Sequence, residues 1–88
     1  MMSEALDAED TKLLTLARGA RARISAVEGA AIRDEMGRTY SAATVDNGTM
    51  SITALDLAVA QAISAGARGA EAAVVVGTES VEIDALRS

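Results

Sequence analysis

The chain has 88 residues, half of them apolar, with a formal net charge of −5 at pH 7 and neither cysteine nor histidine. Without cysteine there is no disulfide, no thiolate nucleophile and no cysteine-ligated zinc, and without histidine there is no Ser-His catalysis. The acidic balance also argues against nucleic-acid binding, which usually relies on a basic surface. Three arginines, Arg18, Arg21 and Arg23, are therefore interpreted as a solvated helix face.

The size of the chain predicts one small domain whose core is limited. Much of the apolar half is alanine, and Tyr40 is the only aromatic residue. Because a small core without large aromatic side chains supplies little stability, we expect a homo-oligomer, a dimer or tetramer, rather than a marginal monomer. No apolar run approaches the roughly 20 residues of a membrane span, and the acidic first ten residues do not resemble a signal peptide. We therefore expect a cytoplasmic protein with no membrane partner.

The first predicted element is a helix. It should begin near Asp7 or Asp10, because an aspartate can accept hydrogen bonds from the first helical turn. The apolar residues that follow have the spacing of one helix face, and they are Leu13, Ala17, Ala20 and Ile24.

A β-hairpin is predicted next, with strands over 27–33 and 38–43. The turn between them contains Gly37, which is free to take a positive φ. Asp34 and Glu35 also lie in this turn, and we expect both to be ordinary solvated carboxylates.

A loop over 44–51 should lead into a second helix, which begins at Ser51 or one or two residues earlier. Its apolar residues follow the three-and-four spacing of a buried face, and they are Ile52, Leu55, Val59, Ala62 and Ile63. Gly66 fits the C-terminal cap of this helix.

The last predicted strand is the continuous apolar run over 72–76, which is typical of a strand buried on both faces, as in a parallel sheet. After it, Val81, Ile83 and Leu86 fit a short strand, a short helix or a frayed tail. The element order is α-β-β-α-β, and the predicted fold class is α/β, with a three-stranded mixed sheet packed with two helices.

Five short stretches of the chain occur in a characteristic order and spacing. They are Gly29-Ala30-Ala31-Ile32, Gly37-Arg38-Thr39-Tyr40, Val45-Asp46-Asn47, Ala54 with Ala58, and Ala62-Ile63-Ser64-Ala65-Gly66 ahead of the strand at Val74. In this series, over roughly residues 10–77, the chain resembles cytidine deaminases. The resemblance implies a single truncated cytidine-deaminase-like domain over residues 1–88.

The resemblance also implies where the chemistry would lie. Cytidine deaminases hold a zinc-bound water through one His or Cys at the start of a helix and two later cysteines, and a glutamate moves protons. Thr53 stands at the position of the first ligand, and Leu55 stands at the position of the glutamate. Neither side chain replaces these groups, and no P-C-x-x-C segment follows. We therefore predict no catalytic residue, no metal ligand and no cofactor.

The family's ribose-binding N-V-E-N stretch corresponds to Thr44-Val45-Asp46-Asn47. Asp46 keeps the charge of the glutamate, whereas Thr44 replaces asparagine and Ala26 stands where an aromatic would contact the base. Asp46 and Asn47 are therefore the remaining candidates for ligand binding. The alternative, purely structural interpretation is that Asp46-Asn47-Gly48 forms a turn.

The leading hypothesis is a non-catalytic cytidine-deaminase-like protein that acts as an oligomeric scaffold, or as an accessory subunit for a protein partner. The alternative is a nucleoside sensor without deaminase activity, which requires Asp46 to face a pocket at the start of the second helix. An enzyme of different chemistry is disfavoured, because no set of residues meets the geometric roles of a catalytic site.

Overall fold

The computed structural model describes residues 8–77 and 81–84. The elements in chain order are α1 (Ala8–Ile24), β1 (Gly29–Asp34), β2 (Thr39–Ala43), β3 (Val45–Asp46), β4 (Ser51–Ile52), α2 (Ala54–Ser64), β5 (Ala70–Val76) and β6 (Val81–Asp84). The predicted α/β architecture, with two helices packed on a sheet, is confirmed. Neither helix within the described residues is long and apolar enough to cross a bilayer.

The main sheet has the strand order β2-β1-β5-β6, and each of these neighbours is antiparallel. The predicted mixed sheet with a parallel pairing at Val74 is therefore wrong. The α2 crossover does connect two strands of the same direction, since β2 and β5 both run antiparallel to β1. However, β1 lies between them, so β5 forms its hydrogen bonds with β1 instead. Of the three alternatives for the segment after β5, a strand is found at β6, while Leu86 lies outside the described residues.

The core has three layers, with one helix on each face of the sheet. On the α1 face the buried cluster consists of Leu13, Ala17, Ala31, Ala72, Val74 and Val76. On the α2 face it consists of Ala30, Ile32, Ala42, Ala54, Ala58, Ala62 and Ala73. Successive strand residues point to opposite faces, so β1 and β5 each supply both clusters. Burial on both faces, and not parallel pairing, explains the continuous apolar run at residues 72–76.

Helix α1 follows its prediction closely. It begins at Ala8, between the two predicted starts, of which Asp7 lies outside the described residues. Its buried residues are three of the four predicted, Leu13, Ala17 and Ala20. Ile24, the last residue of the helix, is 62% exposed, so its prediction as part of the buried face is wrong.

The β1–β2 hairpin is confirmed, with Gly37 at φ +86° in the turn. The first strand begins at Gly29, two residues later than predicted, where the chain passes directly under α1. A Cβ at Gly29 would overlap the backbone carbonyl oxygen of Ala17. Glycine at this position therefore sets how closely α1 approaches the sheet.

The segment predicted as a loop contains a short two-stranded ribbon. Val45 pairs with Ile52 and Asp46 pairs with Ser51. Because the chain is still extended at Ile52, the second helix begins at Ala54, later than predicted.

The predicted buried face of α2 is also corrected. Ala54 and Ala58 are fully buried and Ala62 is 3% exposed, whereas Ile63 is 65% exposed. Leu55 and Val59 are only partly buried and pack at the margin of the cluster. The small alanine side chains allow the helix to lie close on β1 and β2, which moves the larger side chains to its flanks.

Candidate functional site

The start of α2 is the position at which the resemblance placed catalysis. Thr53 is the N-cap, with φ −68° and ψ 155°, and its Oγ1 accepts a hydrogen bond from the backbone N–H of Asp56 at 3.0 Å. Threonine favours this position because its hydroxyl satisfies one of the free N–H groups of the first turn. Leu55, the second residue of the helix, packs its aliphatic side chain against the alanine-rich cluster on the α2 face. Thr53 thus serves the helix backbone, and Leu55 serves the core.

The β3–β4 ribbon carries the two candidate binding residues. Asn47 Oδ1 accepts hydrogen bonds from the backbone N–H groups of Thr49 at 3.0 Å and Met50 at 2.9 Å. These contacts close the turn, in which Gly48 has φ +87°. Asp46 is solvent-exposed. The amide oxygen of Asn47 is therefore engaged in holding the ribbon, in agreement with the turn interpretation.

Thr44, at the position of the family's asparagine, also makes backbone contacts. Its Oγ1 accepts a hydrogen bond from the N–H of Glu28 at 3.1 Å and donates one to the carbonyl oxygen of Glu28 at 3.3 Å. Its own N–H donates to the same carbonyl at 3.0 Å. Thr44 therefore ties the end of β2 to the segment that precedes β1.

The ribbon brings these sequence-predicted residues to one end of the molecule. Asp46 pairs with Ser51, and Ser51 is two residues ahead of the cap at Thr53. The side chains of Thr44, Ser51 and Thr53 offer hydroxyls, and Asp46 and Asp56 offer exposed carboxylates. Within residues 8–77 and 81–84, no three acidic side chains come together in a way that could hold a metal ion.

A buried carboxylate that the sequence analysis misjudged lies at the opposite end of β1. Asp34 was expected to be solvated, but it is fully buried and accepts four hydrogen bonds. The donors are Met36 N and Arg38 N, each at 2.9 Å, Arg38 Nε at 2.8 Å and the Tyr40 hydroxyl at 3.1 Å. Asp34 lies two residues before Met36 and four before Arg38, whose backbone N–H groups it binds. An aspartate at this spacing before a turn is a sequence signal that could have predicted this role.

Burial by itself raises the pKa of Asp34, because it disfavours the charged form. The hydrogen bonds from the backbone of Arg38 and Met36, then from Tyr40 and the Arg38 side chain, outweigh burial and hold the pKa below its ordinary value. Burial and the nearby carboxylate also raise the pKa of Tyr40, which keeps its hydroxyl a donor. The cluster is therefore a charged anchor for the β1–β2 turn.

Glu35 extends this anchor to the loop after α2. Its carboxylate accepts the backbone N–H of Arg68 at 3.1 Å and that of Gly69 at 3.1 Å. Its own backbone N–H is the largest influence that lowers the pKa of Glu35, and these two bonds add to it. Although exposed, Glu35 is therefore not an ordinary solvated carboxylate, because it holds the β1–β2 turn against the start of β5.

Arg33 joins α1 to the sheet through a second charged cluster. Its Nε lies 3.1 Å from Glu71, and its terminal nitrogens lie 3.6 Å from Asp10 and 3.7 Å from Glu9. Arg33, Glu9 and Glu71 border a polar hollow of about 310 Å³ that Lys12 also lines. The pairs span α1, β1 and β5, so the cluster positions the helix on the sheet.

The fold defines a three-layer α/β domain with a capped helix start beside a short ribbon. A family model described as cytidine deaminase-like matches residues 6–87. The chain therefore belongs to the cytidine deaminase-like family. No curated protein matches it.

The zinc ion that this family resemblance implies is not matched by the side chains at the site. The Thr53 hydroxyl is engaged as a helix cap, Leu55 has no ionisable group, and the 88 residues contain neither cysteine nor histidine. Zinc in enzymes is bound by imidazole or thiolate ligands, with at most a minority of carboxylates. The donor set of this chain does not fit such a centre.

Proposed function

We propose that this chain is a cytidine-deaminase-like protein that does not deaminate and that works as an oligomeric scaffold or accessory subunit in the cytoplasm. The start of α2 carries the proposal. The two positions that would hold metal and move a proton are Thr53 and Leu55, and both have structural duties there. A leucine cannot exchange a proton with a reacting base, and a capping hydroxyl is already committed to a backbone N–H.

The rest of the chain supports assembly as the remaining role. Its core is built mainly of alanine, and several large apolar side chains stay exposed, including Ile63 and Met50. Small cores of this kind gain stability when an apolar surface is covered by another subunit. In this proposal the chain no longer catalyses deamination but still assembles into an oligomer.

The test is a deamination assay combined with a size measurement. Purified protein is incubated with cytidine and deoxycytidine, with and without added zinc, while uridine formation is followed by chromatography. We expect no turnover above buffer, together with a mass by light scattering that is a multiple of the monomer mass. Zinc-dependent turnover would refute the loss of catalysis, and a monomer at every concentration would refute the scaffold.

The alternative, a nucleoside sensor, has less support because Asp46 is exposed and Asn47 is used in its own turn. An NMR titration of labelled protein with cytidine and uridine separates the two functions. The scaffold predicts no saturable shifts in the ribbon or at the start of α2. Saturable shifts confined to residues 44–54 would favour the sensor instead.

A further inference from the structure

The polar hollow of about 310 Å³ lies between the first turns of α1 and the turn end of the β1–β2 hairpin. Glu9 and Lys12 line it from α1, while Arg33 and Glu71 line it from β1 and β5. Its volume is at the lower end of the range for small-molecule sites, about 300–1,000 Å³. The chain leaves for α2 from the other end of the hairpin, so the hollow is separate from the start of α2.

The charged side chains that line the hollow balance each other. Two are cations, Lys12 and Arg33, and two are carboxylates, Glu9 and Glu71. Asp10, whose Oδ1 lies 3.6 Å from Arg33 Nη2, adds a further carboxylate next to the guanidinium. A ligand with only negative charge would be repelled by the carboxylates, and one with only positive charge by the cations. A ligand that carries both charges can be bound by both sets.

The guanidinium of Arg33 has a donor group that the described part of the chain leaves unused. Its Nε donates to Glu71 at 3.1 Å, but Nη1 is buried and has no hydrogen-bond partner among the described residues. Glu9 Oε1 lies 3.7 Å from Nη1, which is too long for a hydrogen bond. Because buried donors are normally paired, Nη1 calls for an oxygen acceptor from a ligand.

Lys12 supplies a second donor that is free to bind a ligand. It is exposed, and its side chain forms no ion pair or hydrogen bond with another residue of the described part. Lys12 follows Glu9 by three residues, so the two side chains are neighbours on the surface of α1. Thr39, which pairs with Arg33 across the hairpin, adds an exposed hydroxyl on the same face of the sheet.

We propose that this hollow binds a small zwitterion of the free α-amino-acid type. The ligand carboxylate accepts hydrogen bonds from Arg33 Nη1 and Lys12, and the ligand ammonium donates to Glu9 and Glu71. The Glu9 side chain is 69% exposed, and it turns away from Nη1 to admit the carboxylate and to meet the ammonium. Charge-assisted hydrogen bonds of this kind are about twice as strong as neutral ones. This site is independent of the proposed function, because it uses no residue of α2.

An NMR titration of the whole labelled chain tests the site with defined probes. The zwitterions are glycine, L-alanine and L-glutamine, and the controls at matched ionic strength are acetate and ethylammonium, which each carry one of the two charges. Lys12 is the only lysine of the chain, so selective ¹³C labelling of lysine gives one side-chain signal, which reports on the hollow. We expect at least one zwitterion to shift this signal saturably, with a Kd about tenfold or more below those of the two controls.

Two variants show whether the binding is in the hollow. Lys12→Gln removes the free cation, and Arg18→Gln removes a positive charge from an exposed position of the same helix outside the hollow. Binding to both is followed through the backbone amide shifts of Arg33 and Thr39. We expect Lys12→Gln to raise the Kd by about tenfold through the loss of one charge-assisted hydrogen bond, and Arg18→Gln to leave it unchanged. Both side chains are exposed, so both variants should fold, as circular dichroism can verify.

Three results would overturn the proposal. If none of the three amino acids gives a saturable shift at millimolar concentrations, the hollow is not a site of this kind. Acetate or ethylammonium that binds as tightly as the amino acids would refute the zwitterion class. A Kd that Lys12→Gln and Arg18→Gln change equally would place the binding elsewhere on the chain.

Discussion

At the scale of single residues, the most consequential side chain is Asp34. It is fully buried, and its two oxygens accept four hydrogen bonds from the turn and from β2. One of these is a charge-assisted bond from Arg38 at 2.8 Å. A buried charge with all of its partners is tolerated, whereas the loss of one member leaves the others without a partner.

The first prediction is that Asp34→Asn lowers the melting temperature by about 10 °C. The asparagine would turn an N–H₂ group toward the donors of Arg38 or Tyr40, so that donor would face donor. Thermal unfolding followed by circular dichroism measures the change. Asp46→Asn is the matched control, because it removes the same charge at an exposed position, and its melting temperature should stay close to that of the wild type.

The same residue predicts the pH dependence. The pKa of Asp34 is lower in the folded state than its ordinary value, so the unfolded chain binds the proton first on acidification. Its contribution to stability is complete above about pH 4 and is lost as the pH falls further toward the folded-state pKa. The difference in melting temperature between wild type and Asp34→Asn should therefore shrink below pH 4. A constant difference down to pH 2 would contradict this assignment.

At the scale of elements, the contact between α1 and β1 is set by a glycine. The Gly29 Cα lies so close to the α1 backbone near Ala17 and Arg21 that a methyl group cannot be added without displacement. At Gly19, inside α1, an added methyl group would meet only the Arg23 side chain, with Nη1 at 3.9 Å. Substitution by alanine should therefore affect stability differently at the two glycines.

The second prediction is that Gly29→Ala destabilises the protein by about 1–3 kcal/mol, because α1 must move away from the sheet. Gly19→Ala should instead stabilise it by about 0.5–1 kcal/mol, since alanine is the better helix former. Urea unfolding of both variants gives the two free energies. Equal effects of the same sign would show that α1 is not held against β1 in this way.

Periodicity predicted the existence and order of both helices, the hairpin and the strand at Val74, because each depends on local spacing. It did not predict which face of α2 is buried. A spacing argument favours the stripe with the largest side chains, Leu55, Val59 and Ile63. In the structure, however, α2 lies so close to the sheet that alanine side chains fill the contact. The distance between helix and sheet depends on how the layers pack, so it cannot be predicted from the sequence of one helix.

The direction of β5 could not be predicted for a related reason. Its continuous apolar run indicates a strand that is buried on both faces. A central antiparallel strand is buried in this way as well as a parallel one, so the run does not indicate the direction. At the site, Thr53 and Leu55 lie at the start of a helix, as the resemblance implies for these two positions. It did not anticipate that Asp34 is buried, because that depends on donors contributed by Arg38 and Tyr40 after the chain has turned.

At the scale of the whole molecule, the two faces of the sheet are covered unequally. Helix α1 contacts β1, β5 and β2, whereas α2 packs on β2 and β1. The side that carries α2 therefore keeps an open hollow beside Val59 and Ile63. The same helix is capped by Thr53, where the family resemblance would place a metal ligand. The proposed loss of catalysis and the uncovered surface thus concern the same element.

Native mass spectrometry in the presence of added zinc tests this account most directly, because one spectrum reports both subunit number and bound metal. The account predicts an oligomer, a dimer or tetramer of the 9.0 kDa chain, that retains no zinc. A spectrum with only monomer at every concentration would contradict the scaffold, and one tightly held zinc ion per chain would contradict the loss of the catalytic centre.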